Sequence, residues 1–355
     1  MKIIFLSKRH PQGKDLLTRP YGRFFHIPRL LAEMGNEVHI LLLSYGRQPA
    51  VDIHQYGIHW YSRSFWQTGQ SSYWSTACSL IGAIKPDWIV GFSDTYFGIM
   101  AVFLGQRFLC RSAIDAYDNY ESYLPWCSPL HCLWRKALSK ATAVTAAGPQ
   151  LAELLQQARP EKSVYIIPMA ADSPGFLPLN RTACRHELNL PLEKKIIGYC
   201  GSIHRNRGID ILFNAHSILQ GTGCDVDLVL TGRKGEKVSL PSSTRWLGYL
   251  PDDKLPVFLN CLDIATVINR ASRFGSYSYP VKLYEAMRCQ IPVIATDTPA
   301  INWILKGDKR FLARLDDPND LADKIRQSLT LDRIEYGRQT SWEQSSKLFE
   351  EVFLQ

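Results

Sequence analysis

Pro280-Val-Lys282-Leu283-Tyr-Glu285 follows a polar loop, Gly275-Ser-Tyr-Ser-Tyr, and precedes Ile291-Pro292-Val-Ile-Ala-Thr. Pro280 lacks an N–H and fits a first helical turn, where that N–H would find no partner. The helix it opens carries Val281, Tyr284 and Met287 on one face. Gln290-Ile291-Pro292 ends it, and Val293–Thr296 is a short buried strand. Free backbone N–H groups at such a helix start take an anion. Glu285, one turn in, reaches hydroxyls of the ligand that carries the anion. An ordinary α/β turn with a surface glutamate has the same spacing.

A second stretch has phosphate chemistry. Gly198-Tyr-Cys-Gly201-Ser202-Ile-His-Arg205-Asn-Arg207-Gly208-Ile-Asp210 is a strand, a glycine turn and a helix start. The glycines let backbone approach a phosphate, the amides point at it, and a guanidinium binds two of its oxygens. A third stretch, Asp115-Ala-Tyr-Asp118-Asn-Tyr-Glu121, puts three carboxylates at a strand end. They can orient a hydroxyl or serve as general base, and they can equally cap the following helix. Asp225-Val-Asp227 opens a buried strand and is structural. Cys127, His131 and Cys132 form half a metal site with no second half, so no metal is expected. Gly-x-Gly-x-x-Gly, Walker and Gly-x-Ser-x-Gly patterns are missing.

The elements that must position these residues alternate. Strands are expected at Lys2–Ser7, Glu37–Ser44, Ile58–Ser62, Asp87–Phe92, Ser112–Ala116, Ala141–Thr145 and Val164–Ile167. Between them lie helices at Arg23–Met34, Ser75–Ile84, Thr95–Arg107, Leu130–Leu138 and Pro149–Gln156. Pro168–Pro191 is a linker dense in Pro, Asn, Ser and Gly. Alternation restarts with Lys195–Tyr199, Ile209–Leu219, Val226–Leu230, Asp253–Leu259 and Asp263–Val267, and ends with helices at Pro318–Ser328 and Trp342–Phe353. Apolar strands interleaved with helices imply parallel sheets covered on both faces. The fold class is α/β with two doubly wound, Rossmann-like domains. The first spans 1–175 with a helix at 338–355, the second 190–337. Ligands of such sheets bind beyond the carboxyl ends of the strands, so two facing sheets make an interdomain cleft.

Bulk properties narrow the partners. The chain has 355 residues, 46% hydrophobic and 21% charged, with net charge +8. This composition is neither disordered nor membrane-spanning, and the apolar runs fall far short of the ~20 residues of a membrane helix. The short apolar start at Met1–Ser7 is a first strand, not a signal sequence. Basic charge admits nucleic acid, an anionic membrane or anionic substrates. No basic block or nucleic-acid motif is present, so nucleic acid is set aside. Lys8, Arg9, Lys14, Arg19, Arg23 and Arg29, interleaved with Tyr21, Phe24 and Phe25, suit an anionic leaflet, or an ordinary solvated face. Nine scattered cysteines without a Cys-x-x-Cys pair fit reduced thiols and a cytoplasmic location.

The Pro-Val-Lys-Leu-Tyr-Glu segment and the Ile-Pro292-Val-Ile-Ala-Thr-Asp297 that follows resemble the donor motif of the large retaining GT-B glycosyltransferase family. That family includes sucrose synthases and bacterial mannosyltransferases of cell-envelope assembly. Arg23–Leu43, Val144–Leu154, Ile167-Pro-Met-Ala-Ala-Asp172, Pro318–Ile325 and Ser341-Trp342-Glu343 resemble further family segments in the same order, so the likeness covers nearly the whole chain. The resemblance implies a nucleotide-sugar donor, a glycan or glycolipid acceptor, no metal, and a final helix crossing back to the first domain. A peripheral place on the inner face of the cell membrane follows from the resemblance and the basic charge together. The resemblance implies that Glu285 binds ribose hydroxyls. Arg207, at the family's lysine position, and Lys282 would then neutralise the leaving diphosphate. Gly201 and Ser202 stand where the family has Gly-Arg, with Arg205 as a substitute cation. Tyr249 and Leu250 would lie in the base-holding loop, Leu283 in the donor motif, and Gly22 and Arg23 near sugar and diphosphate. Asp118 would occupy the place of a sugar-contacting histidine. A second family glutamate is replaced by Tyr277 or Ser272. Its loss leaves two rivals: a non-catalytic transferase-like subunit and a same-fold nucleotide-sugar isomerase.

Overall fold

Alternate residues of the first strand, β1 (Lys2–Lys8), divide between two packed layers. Ile4 and Leu6 enter one core and Ile3 and Phe5 the other, all fully buried. The computed structural model describes residues 1–171 and 175–355, with Thr68 and Gln70 described by backbone alone. The chain forms two units, Met1–Ala170 with Thr340–Gln355, and Ala171–Gln339. Asp172 of the expected linker motif lies outside the described residues.

Unit 1 continues with α1 (Arg23–Glu33), β2 (Glu37–Ser44), β3 (Val51–Gln55), β4 (Ile58–Ser64), α2 (Phe65–Ile84), β5 (Trp88–Gly91) and α3 (Thr95–Phe108). Next come β6 (Arg111–Ala116), α4 (Ser128–Lys140), β7 (Ala143–Ala146), α5 (Pro149–Gln156) and β8 (Tyr165–Ile166). The C-terminal helix Trp342–Leu354 belongs to the same unit. Strand order is β3-β4-β2-β1-β5-β6-β7-β8, parallel except for β3. On one face Tyr73, Ala77 and Ile81 of α2 and Phe97, Met100 and Leu104 of α3 cover Ile4, Leu6, Leu41 and Ile89. On the other, α1 packs on the C-terminal helix, whose Phe353 stacks on Trp88 at 4.4 Å and whose Phe349 lies 6.3 Å from Phe5. A capping box of Ser341 and Gln344 starts that helix.

The antiparallel strand β3 has no counterpart among the expected elements. It lies at the sheet edge with Asp52, Ile53, His54 and Gln55 exposed, so no buried periodicity marks it. It brings His54 to His59 at 4.4 Å, and His59 stacks on His39 at 4.7 Å. Burial, then the neighbouring His39 and His54, lowers the His59 pKa against an opposing pull from Glu37. An unfolded chain therefore binds the proton more readily, so this contribution is present above the unfolded value near ~6.5 and is lost as pH falls through the folded one. Melting temperature should decline between about pH 7.5 and about pH 5.5, and His59→Gln should flatten that slope.

Unit 2 comprises α6 (Arg181–Glu187), β9 (Lys195–Cys200), α7 (Ile209–Gly221), β10 (Val226–Thr231), β11 (Thr244–Trp246) and α8 (Lys254–Asn260). It continues with β12 (Ile264–Val267), α9 (Val281–Arg288), β13 (Val293–Thr296), α10 (Pro299–Ile304), β14 (Leu312–Ala313) and α11 (Pro318–Ser328). Its sheet is parallel throughout, in the order β11-β10-β9-β12-β13-β14. Progression reverses between β9 and β12, which makes the crevice beyond their carboxyl ends the switch point where such sheets bind ligands. The expected linker Pro168–Pro191 is not irregular throughout, because it contains α6. Asn180 caps that helix by accepting from Ala183 N at 2.9 Å. Arg185, 4% exposed, then fixes it to Asp263 and to the carbonyls of Cys261, Leu192 and Lys194.

Candidate functional site

Two loops flank the switch point of unit 2. The first leaves β9 through Gly201 and Ser202 and turns at Arg205–Arg207 before Gly208 caps α7. The second leaves β12 at Ile268 and runs to Pro280. They are tied together twice: the Arg207 guanidinium lies 4.4 Å over the Phe274 ring, and Arg270 pairs with Asp210 at the start of α7. Gly208, at φ 78°, leaves no room beside Ile268, whose Cγ2 would lie 3.0 Å from an added Cβ. Arg207 is thereby held beside the segment that opens α9. Arg205 is exposed on the outer side of the same turn.

The strand ends beneath these loops are locked by backbone bonds. Gly201 N–H donates to the Thr231 carbonyl and Gly232 N–H to the Gly248 carbonyl. Gly232 has φ 129°, and a Cβ there would stand 1.8 Å from the Gly201 carbonyl oxygen. Gly232→Ala is expected to lower unfolding free energy by about 3 kcal/mol, read as the urea midpoint, through strain and overlap together. Gly232 and the following Arg233, whose guanidinium lies 5.3 Å over the Tyr249 ring, join the site without having been expected there. Their local signal is a Gly-Arg pair directly after an apolar strand. Tyr249 is 46% exposed and Leu250 half-buried at the same edge.

The opening of α9 differs from the expectation in detail. Glu285 is fully buried, and Lys282 Nζ lies 2.7 Å from its Oε2. Lys282 therefore balances the Glu285 carboxylate from the mouth of the helix. Leu283 belongs to the interior of the unit. Its side chain is in the core and its N–H donates to the Pro280 carbonyl at 3.0 Å. Pro280 is the cap of the helix rather than its first residue. Ser272 accepts from Gly275 N at 2.9 Å and shapes the preceding turn. Asp225 and Asp227 both face Lys194, at 3.2 and 3.3 Å. Among the described residues no cluster of His, Cys, Asp and Glu is arranged to hold a metal ion.

At the carboxyl edge of unit 1 the three carboxylates part company. Asp115 is fully buried and takes two bonds from Arg23, one at 2.6 Å from Nε, with a third from Thr145. Arg23 also donates to the Ile167 carbonyl at 2.6 Å and is 1% exposed. This corrects the expectation that Arg23 lies near a diphosphate: its guanidinium is spent inside unit 1. Glu121 binds Arg135 through both oxygens, at 2.8 and 2.7 Å. None of the three caps α4, which starts at Cys127 without a side-chain cap. Asp118 alone remains at the edge, 7% exposed and accepting from the Tyr123 hydroxyl at 2.9 Å. Burial, then the Asp118 charge, holds that phenol well above its usual range, so it stays a donor. Gly22, at φ 63°, caps α1 and accepts from Phe25 and His26 N–H.

The switch point of unit 1, between β1 and β5, holds a pair without any local sequence signal. Lys8 Nζ lies 3.8 Å from Asp94, and Ser7 and Ser93 hydroxyls meet at 3.2 Å. Burial raises the Asp94 pKa, with Lys8 and the amides of α3 pulling against it. The expected N-terminal basic face is also broken up. Arg9 is buried against Asp15 and Ser62, Lys8 faces Asp94, and Arg29 pairs with Glu33.

Residues 194–330 match the family model described as glycosyl transferases group 1. The D-inositol 3-phosphate glycosyltransferase of Corynebacterium jeikeium is 27% identical over 224 residues, 54% of this chain and 52% of its own. The capsular polysaccharide biosynthesis glycosyltransferase CapM of Staphylococcus aureus is 28% identical over 139 residues, 37% of this chain and 35% of its own. The chain thus spans about half or less of the length of the curated relatives it matches. Two solved structures align over 99% of it: sucrose-phosphate synthase of Thermosynechococcus elongatus (TM-score 0.75, 18% identity, 94% of that chain) and Anabaena HepE with UDP (0.74, 14%, 96%). Two doubly wound units of this topology, aligned over nearly their whole length with these structures, give the chain the GT-B fold, and its second unit carries the segment that matches the group 1 glycosyltransferase model.

Proposed function

We propose that the chain moves a sugar, a hexose by preference, from a nucleotide-sugar held by unit 2 to an acceptor hydroxyl, with retention and without a metal. The observation that carries this reading is the tie of Arg207 to Phe274, which sets a guanidinium beside the segment bearing Lys282 and Glu285 at the switch point. Arg207, the positive end of the α9 dipole and a shared Lys282 stabilise the charge that develops on the departing diphosphate. Glu285, held by Lys282, receives ribose hydroxyls. Asp118, with Tyr123 donating to it, orients the acceptor hydroxyl. The HepE structures contain UDP and UDP-glucose, which supports a nucleotide-sugar as donor. CapM, of capsular polysaccharide biosynthesis, and the O-antigen chain mannosyltransferase B of Escherichia coli support a cell-envelope polysaccharide as product.

Thermal shift with UDP, GDP, ADP, CMP and dTDP and their common sugars tests the donor site, since a ligand that binds the native state raises stability by mass action. One nucleotide class should stand out, and Glu285→Ala should weaken it by about 10-fold or more, the loss of charge-assisted hydrogen bonds. No shift with any nucleotide would favour a non-catalytic transferase-like subunit. Nucleotide release without any acceptor alcohol would favour an isomerase.

A further inference from the structure

Three helices of unit 1, α2, α3 and α4, pack side by side on one face of its sheet. Across them there are four basic side chains, Arg107, Arg135, Lys136 and Lys140, and no carboxylate. Arg135 is taken up by Glu121 from the loop before α4, whereas neither Lys136 nor Lys140 has a carboxylate partner among the described residues. On α4 the helical period puts Pro129, Leu133, Lys136 and Lys140 on one outward strip, opposite the buried His131, Trp134 and Leu138. Leu133 is 54% exposed. The turn that leads into the strip projects Leu124 and Trp126, the latter 77% exposed.

We infer that this strip and its leading turn are a docking surface for an anionic lipid leaflet. The exposed apolar side chains Leu124, Trp126, Pro129 and Leu133 lie at one end of this surface and Lys136 and Lys140 at the other, an amphipathic pattern unlike the lysine-depleted core of a protein interface. A leaflet accepts that pattern. Trp126 sits at headgroup depth, Leu124 and Leu133 reach the acyl boundary, and Lys136 and Lys140 extend their stems along it to lipid phosphates. The lack of carboxylates over three adjacent helices removes the repulsion that an anionic surface would otherwise meet. The surface differs from the N-terminal basic stretch, whose cations are largely paired within the unit. It goes beyond the transferase reading and stands without it, although it would bring a membrane-held acceptor to the enzyme.

The test is sedimentation of the full chain with vesicles of phosphatidylcholine, alone or with about 30% phosphatidylglycerol. Partition into anionic vesicles should exceed that into neutral ones by about 10-fold or more and fall at about 0.5 M salt. Trp126→Ser with Leu133→Ser, and separately Lys136→Glu with Lys140→Glu, should each reduce it by about 10-fold or more, while Lys14→Glu with Arg19→Glu leaves it within about 2-fold. Equal partition into both vesicle types, binding kept by both α4 variants, or self-association through this face without vesicle binding would overturn the proposal. The nucleotide-induced thermal shift is measured on the same proteins. If it persists while vesicle binding is lacking, the surface falls and the transferase reading stands; the reverse pattern overturns the donor site alone.

Discussion

Replacing Arg207 with alanine is expected to lower kcat by about 10²–10³-fold, the usual cost of removing one preorganised donor to developing charge. The side chain is half-buried at the end of a short turn and packs on the face of Phe274, so its removal costs little stability. In the proposed transfer, diphosphate charge grows as the glycosidic bond breaks, so the loss should appear in kcat more than in KM. Arg207→Lys should recover part of the activity, because the charge returns without the planar group that stacks on Phe274. Steady-state kinetics on the three proteins decide the matter. Full turnover in Arg207→Ala, with loss in Arg205→Ala, would move the phosphate cation to the exposed side of the turn.

Arg23→Ala carries the largest expected loss of stability, about 3–5 kcal/mol, the cost of leaving a buried charge without its partner. Asp115 would keep only Thr145 as a side-chain donor in a site with no access to water, and the Ile167 carbonyl would lose its arginine. The double variant Arg23→Met with Asp115→Leu should recover much of the deficit, since an apolar pair of similar volume restores packing without the uncompensated ion. Urea unfolding of the single and double variants measures both. A single variant within about 1 kcal/mol of the parent would show that water or another donor reaches Asp115.

These two arginines show what the sequence exposes and what it hides. Arg207 lies in a loop whose glycines, strand and helix start are contiguous, so its surroundings are written beside it. Arg23 opens a helix and looks like any solvated cap. Its partner is 92 positions away, and only the parallel sheet brings the two together. Strands Glu37–Ser44 and Val293–Thr296 and helices Pro149–Gln156 and Pro318–Ser328 begin and end where their apolar period and flanking Pro or Asn place them. Edge strand β3 and helix α6 are hidden for opposite reasons. The first buries almost nothing, and the second is held by an arginine inside a stretch otherwise rich in turn formers. The two switch-point loops of unit 2 are legible as residue types, but the Lys282–Glu285 pairing and the place of Gly232 depend on through-space contacts.

Unit 1 is assembled from two stretches of chain with all of unit 2 between them. A ribosome making this protein therefore delivers Phe349 and Phe353 only after the whole of unit 2, which has by then been able to close on its own contiguous residues. Until then Phe5, Trp88 and Phe92 lack the aromatic lid that the last helix supplies. The first unit to be synthesised is thus the second to be finished, and in the interval its bare aromatic face is what a chaperone or an aggregating neighbour would find.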